Sequence, residues 1–107
     1  MLWLGGASAP ALMRSYSLSG EPSATRYRVS IKREAHGAAS GYINDELQVG
    51  DIVQASAARG NFTLRPGNTP VVLMSAGIGV TPVLAMLHVL AAEASPREVW
   101  WLYGTRN

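Results

Sequence analysis

The segment Pro70-Val-Val-Leu-Met-Ser-Ala-Gly-Ile-Gly-Val-Thr-Pro-Val-Leu-Ala-Met-Leu87 constrains this chain more than any other. An apolar run ends in two glycines one residue apart, and a second apolar run begins after Thr81-Pro82. The pattern predicts a buried strand, a glycine turn and a helix. Pro82 suits the first helical position, where its missing N–H removes a donor that would have no partner anyway. Thr81 is then the expected N-cap, its hydroxyl accepting from first-turn amides. Gly77 and Gly79 let backbone come close to whatever lies at the helix start. Free amides and the helix dipole both favour an anion there, most often a phosphate. The segment therefore points to a nucleotide.

A membrane span is the rival. Val71 to Ala92 is 22 residues without a charge, long enough to cross a bilayer. Gly-Ile-Gly-Val-Thr-Pro falls in its middle and would break such a helix, and no basic cluster flanks it. A parallel strand covered on both faces, followed by a buried helix, explains the same apolarity. The turn also departs from the common dinucleotide fingerprint, which wants a third glycine where this chain has Pro82.

At 107 residues with 48% hydrophobic and 15% charged side chains, the chain is globular, one ordinary domain or two small pieces. Its net charge of +2 is too small and too scattered for a nucleic-acid surface. Arg26, Arg28, Lys32 and Arg33 read as the wet face of a strand. With no cysteine there is no disulfide and no thiolate ligation of an iron–sulfur cluster. His36 and His88 have no carboxylate or cysteine at metal-ligand spacing, so no metal site is expected. The apolar start lacks a basic region and makes a poor signal peptide, which leaves a cytoplasmic protein as the default.

Strands are expected over Met13–Ser19, Tyr27–Lys32, Ile52–Ala57 and Phe62–Leu64, with a short helix within Gly37–Leu47 opened near Ser40. Two prolines and a glycine make 66–70 the best linker. Beyond it the pattern becomes strand, helix, strand: Val71–Ser75, Pro82–Glu93 and Val99–Tyr103, a parallel crossover. Trp3, Trp100 and Trp101 are expected in a core. The change of class predicts a β part over 1–65, a linker over 66–70 and an α/β part over 71–107. Both parts look unfinished, because a few short strands do not close a barrel and a single crossover leaves apolar edges.

Arg14-Ser15-Tyr16-Ser17 sets a cation, an aromatic ring and two hydroxyls on one extended segment. A flat heterocycle carrying a phosphate needs such groups. Taken alone, the same four residues are more often an ordinary edge strand.

The order of motifs is more specific. Arg14-x-Tyr16-Ser17-Leu18-Ser19 precedes Tyr27-x-Val29-x-Ile31-Lys32-Arg33-Glu34, then Gly37-x-x-Ser40, Leu47-x-x-Gly50-Asp51, Arg59-Gly60-Asn61-Phe62 and Gly77-Ile78-Gly79-Val80-Thr81-Pro82. From about Leu12 to Asn107 this string resembles the ferredoxin–NADP reductase superfamily, closest to the reductase parts of flavohaemoglobins and oxygenase reductases. The resemblance implies a partial Greek-key antiparallel flavin-binding barrel of the ferredoxin-reductase type. It is followed by the first strand–helix–strand unit of a parallel-sheet nucleotide-binding domain. Arg14 would pair with a flavin phosphate, Tyr16 would lie against the isoalloxazine, and Ser17 would hydrogen-bond near flavin N5 as the residue nearest the chemistry. Ser40, after Gly37, would offer a hydroxyl and backbone amides to the flavin pyrophosphate. Gly77, Gly79 and Thr81 would hold the nicotinamide nucleotide's phosphates.

The implied activity is electron transfer from NADH or NADPH through a flavin to a redox partner, of ferredoxin, haem or oxygenase type. Ser40 favours FAD over FMN. The chain reads as a fragment of such an oxidoreductase, since the family has further strands before the first motif and after the last. The alternative is a non-catalytic remnant or interaction module that binds flavin weakly or not at all. Neither a membrane nor a nucleic acid is expected as a partner.

Overall fold

The computed structural model describes the backbone of residues 2–4 and residues 12–106 in full. They fall into two compact units, Met1–Tyr16 with Ile31–Arg59, and Ser17–Ser30 with Gly60–Asn107. These limits differ from the sequence boundary at 66–70: the second unit resumes at Gly60 and also takes in Ser17–Ser30.

In the first unit, β1 (Leu2–Leu4) pairs antiparallel with β2 (Leu12–Arg14) on one side and β3 (Gln54–Ala55) on the other. Helix α1 (Ala38–Asp45) packs on β2. It begins two residues before Ser40, with Gly37 as its cap. Its last residue is tied to the chain before it. Arg33 Nε and a terminal nitrogen donate to the two carboxylate oxygens of Asp45 at 3.1 and 2.8 Å.

The second unit holds a hairpin-like pairing and a strand–helix–strand. Leu18 and Val29 form an isolated antiparallel bridge. Beside it the Ser19 N–H donates to the Arg28 carbonyl at 2.9 Å, and the fully buried Ser19 hydroxyl meets that of Ser30 at 2.8 Å. Strand β4 (Val71–Ala76) runs into a short 3₁₀ turn, Gly77–Gly79, then helix α2 (Val80–Ala92) and strand β5 (Val99–Gly104). The strands are parallel, in register from Val71 opposite Val99 to Ala76 opposite Gly104, as the crossover pattern requires. Val71 and Leu73 alternate along β4, and Val83, Met86 and Leu90 recur at helical spacing on α2. Together they form the buried apolar cluster, flanked by Leu64, Leu87 and Val99.

Several sequence expectations are corrected. The Met13–Ser19 strand ends at Arg14, and Tyr27–Lys32 contributes only the Val29 bridge, with Tyr27 exposed. Ile52–Ala57 shrinks to Gln54–Ala55, and Phe62–Leu64 forms no strand. Alternation marks a chain fit to pair, but pairing needs a partner in register, which local sequence does not supply. β4 is covered on one face only: Val72 and Met74 are exposed among the described residues. Trp100 and Trp101 are exposed as well: Trp100, opposite Val72, lies on the uncovered face, and Trp101, opposite Leu73, lies on the face where α2 packs over β4. The Trp3 side chain lies outside the described residues.

Candidate functional site

The strongest candidate is the turn joining β4 to α2. Gly77 takes the left-handed backbone, φ +53°, where a Cβ is strained. The turn is already wound when it reaches Val80, whose N–H donates to the Gly77 carbonyl. The helix therefore opens with Gly79 as its cap and no side-chain cap bond. Thr81 is then the second helical residue, 6% exposed, and not the N-cap expected from sequence. Pro82 moves to the third position, still in the first turn, where a missing N–H costs no helical bond.

The space above this turn is open. A Cβ built on Gly77 or Gly79 would meet nothing within 4 Å. Two residues before it lies a group that sequence reading missed. Ser75 sits at the carboxyl end of β4, and its Oγ is buried without a hydrogen-bond partner among the described residues. A buried hydroxyl normally finds a partner, and leaving one without costs roughly 1–3 kcal/mol. Its only signal in the sequence is its place in the strand, two residues before Gly77. An unsatisfied hydroxyl, open glycines and a helix start fit a phosphorylated ligand.

The other predicted residues lie on the first unit, with one exception. Arg14 ends β2 and is exposed, one guanidinium nitrogen donating to the Met13 carbonyl at 2.9 Å. Among the described residues no carboxylate lies within ion-pair distance of it, so its charge is available to an anion. Tyr16 is half-buried. Ser17 is exposed and opens the second unit.

Gly37 and Ser40 meet directly at the start of α1. Ser40 Oγ accepts from the Glu34 N–H at 3.1 Å and donates to the Gly37 carbonyl at 3.3 Å. The Gly37 N–H donates to the Glu34 carbonyl at 3.2 Å. Ser40 is 8% exposed. A Cβ on Gly37 would collide with Ser40 Oγ and come within 3.1 Å of the Glu34 Cβ. The structure thus groups Arg14 and Tyr16 with Gly37 and Ser40 in one unit, and Gly77, Gly79 and Thr81 in the other.

Among the described residues no His, Cys, Asp and Glu gather as a metal site, and no helix is long and apolar enough to cross a membrane.

No protein-family profile matches the chain. It is 48% identical over 94 residues to a flavohemoprotein of Pseudomonas putida, covering 88% of this chain and 24% of that one. It is 43% identical over 95 residues to a flavohemoprotein of Deinococcus radiodurans, covering 89% and 24%. The chain thus spans about a quarter of the length of the curated relatives it matches. Among solved structures, it is similar to the flavohem-like FAD/NAD binding domain of nitric oxide dioxygenase from Vibrio cholerae. That match has a TM-score of 0.91 at 36% identity and covers 99% of this chain and 47% of that one. A phthalate dioxygenase reductase, described as modular for electron transfer from pyridine nucleotides to [2Fe-2S], matches with a TM-score of 0.80 at 30% identity, covering 99% and 33%.

Proposed function

We propose a function from one premise: this chain belongs to the ferredoxin–NADP reductase superfamily. It binds a flavin, FAD in preference to FMN, and takes part in passing electrons from NADH or NADPH to a redox partner of haem, ferredoxin or oxygenase type. One observation carries this reading. An open glycine turn, two residues after a buried unsatisfied hydroxyl, stands at the end of a parallel strand in a chain that superposes over 99% of its length on an FAD/NAD binding domain.

A bound flavin supplies hydride acceptance and one-electron release; the protein supplies binding and orientation. Arg14 holds a flavin phosphate by charge-assisted hydrogen bonds. Tyr16 lies against the isoalloxazine and excludes water from that face. Ser17 hydrogen-bonds at the N5 edge and is the residue assigned to the chemistry. The Gly37–Ser40 turn serves the flavin diphosphate. Gly77, Gly79 and Thr81 seat the nicotinamide nucleotide's phosphates. No side chain acts as nucleophile or general base. The working division is a flavin part over 1–65, a linker over 66–70 and a nucleotide part over 71–107, in a cytoplasmic protein.

A second reading, a non-catalytic interaction module, is favoured by one observation. Val72, Met74, Trp100 and Leu102 leave one face of the β4–β5 pair apolar and exposed. Flavin titration separates the two. The purified chain should quench the fluorescence of added FAD, and NADH or NADPH should bleach the bound flavin's visible band. A chain that retains neither FAD nor FMN would overturn the flavin reading.

A further inference from the structure

The segment 66–70 has the composition of a linker, yet the chain does not change units there. It passes from one unit to the other after Tyr16, after Ser30 and after Arg59, and residues 60–70 belong with β4, α2 and β5. Arg97 holds them. It is half-buried in the loop between α2 and β5. Its Nε donates to the Thr69 carbonyl and a terminal nitrogen donates to the Arg65 carbonyl, each at 2.8 Å. One guanidinium thus joins the two ends of a loop whose own residues, Pro66 to Pro70, are exposed. Among the described residues no carboxylate lies within ion-pair distance of Arg97, so its fork is spent on backbone carbonyls. Two neighbours complete the attachment. The Val71 N–H donates to the Glu98 carbonyl at 2.8 Å, and Leu64 packs against the buried cluster of β4 and α2. The crossing at 59–60 is the opposite case. Ala58, Arg59 and Gly60 are exposed and make no hydrogen bond among the described residues. Gly60 stands at φ +142°, and a Cβ built on it would meet nothing within 4 Å.

We infer that Arg97 is a clamp that makes 65–70 a rigid strap of the strand–helix–strand part, and that the flexible joint of the chain lies at Arg59–Gly60. The two prolines serve the strap by fixing its torsions and do not loosen it. Arginine suits the task because a planar fork presents several donors at fixed angles, whereas a lysine offers one mobile point charge. The clamp acts at the amino end of β4, away from the glycine turn at its carboxyl end, so the inference stands apart from any ligand.

Nuclear relaxation on the full chain tests it, through the heteronuclear NOE of backbone amides, which reports picosecond-to-nanosecond motion, beside hydrogen exchange. In the wild type the amides of Gly67, Asn68 and Thr69 should be as ordered as those of β4, and the Gly60 amide should be clearly less so. In Arg97→Ala the 67–69 values should fall to the Gly60 level. Exchange of the Val71 amide should quicken about tenfold or more, as for a lost hydrogen bond from a charged group. Amides within α2 should keep their protection, which separates release of the strap from general unfolding. Arg97→Lys, with the charge but without the fork, should restore little of the lost order. Wild-type 67–69 amides as mobile as Gly60, or a Gly60 as ordered as β4, would overturn the inference without recourse to a variant. An Arg97→Ala protein that folds and keeps 67–69 ordered would overturn the clamp. Full rescue by lysine would overturn the part assigned to the fork.

Discussion

The chain enters a helix through glycine twice, at 37 and at 77–79, and the two entrances are built on opposite principles. At α1 the glycine has an ordinary backbone and no room, since Ser40 Oγ fills the space of its missing side chain. At α2 the glycine has ample room and a backbone at φ +53° that other residues resist. The first turn is closed on itself by its own hydrogen bonds. The second leaves open space around its glycines and follows an unsatisfied Ser75 hydroxyl. One glycine is therefore needed for space and the other for torsion. A sequence shows only two glycines, so the distinction emerges from the coordinates.

The comparison sharpens most if the two parts hold different ligands. Arg14→Ala should weaken flavin binding by roughly 1.5–3 kcal/mol, the range for hydrogen bonds to charged groups. Affinity for NAD(P)H, measured separately by titration, should move much less. Equal losses of both, or neither, would remove Arg14 from a flavin site and blur the division between the two turns.

The glycines come next. Gly37→Ala should lower the stability of the flavin-free chain by about 1–3 kcal/mol, the usual penalty for overpacking. Removing the obstructing oxygen should return part of that, so Gly37→Ala/Ser40→Ala should be more stable than the sum of the single losses. Gly77→Ala should cost about 1–2 kcal/mol through the left-handed backbone, and no truncation nearby should relieve it. Gly77→Asn should do better than Gly77→Ala, because Asn tolerates that region. Thermal melts of the six proteins, wild type included, decide the matter. A Gly37→Ala penalty untouched by Ser40→Ala would show that space is not what that glycine provides.

The two halves also differed in how far the sequence could be read. β4, α2 and β5 were legible because an unbroken apolar run, a glycine turn and a parallel crossover are all local signals. The core residues Val71, Leu73, Val83, Met86 and Leu90 share one face of β4 and one face of α2, but both runs are apolar throughout, so which face is covered was not legible. α2 starts two residues before the expected Pro82 because the 3₁₀ turn winds Gly77–Gly79 before the helix proper, taking the cap from Thr81. The first part was legible as motifs and poorly as strands. β3 has two residues, and Leu18 and Val29 meet only in a single bridge, an outcome set by partners distant in sequence. Ser75 and the internal commitment of Ser40 could not be read at all, since each depends on which neighbour a hydroxyl meets.

The smallest effect concerns charge, and it too separates the entrances. The 76–82 turn contains no ionisable side chain. At the other, α1 ends on Asp45, where the helix dipole disfavours a negative charge, and Arg33 compensates it with a two-pronged contact. The Arg33 hydrogen bonds hold the Asp45 carboxyl below its usual range. A carboxyl depressed on folding stabilises the folded state above its unfolded value, about 3.9, and that contribution fades as pH falls through the lower folded value. Wild type should therefore melt slightly above Asp45→Asn at pH 7, and the two should converge well below pH 4. Both partners are exposed, so 1 M salt should also shrink the gap. A gap that persists at low pH would show that Asp45 acts through packing or neutral hydrogen bonds and not through its charge. No such dependence should follow a substitution by a neutral residue within 76–82, where no ionisable side chain stands.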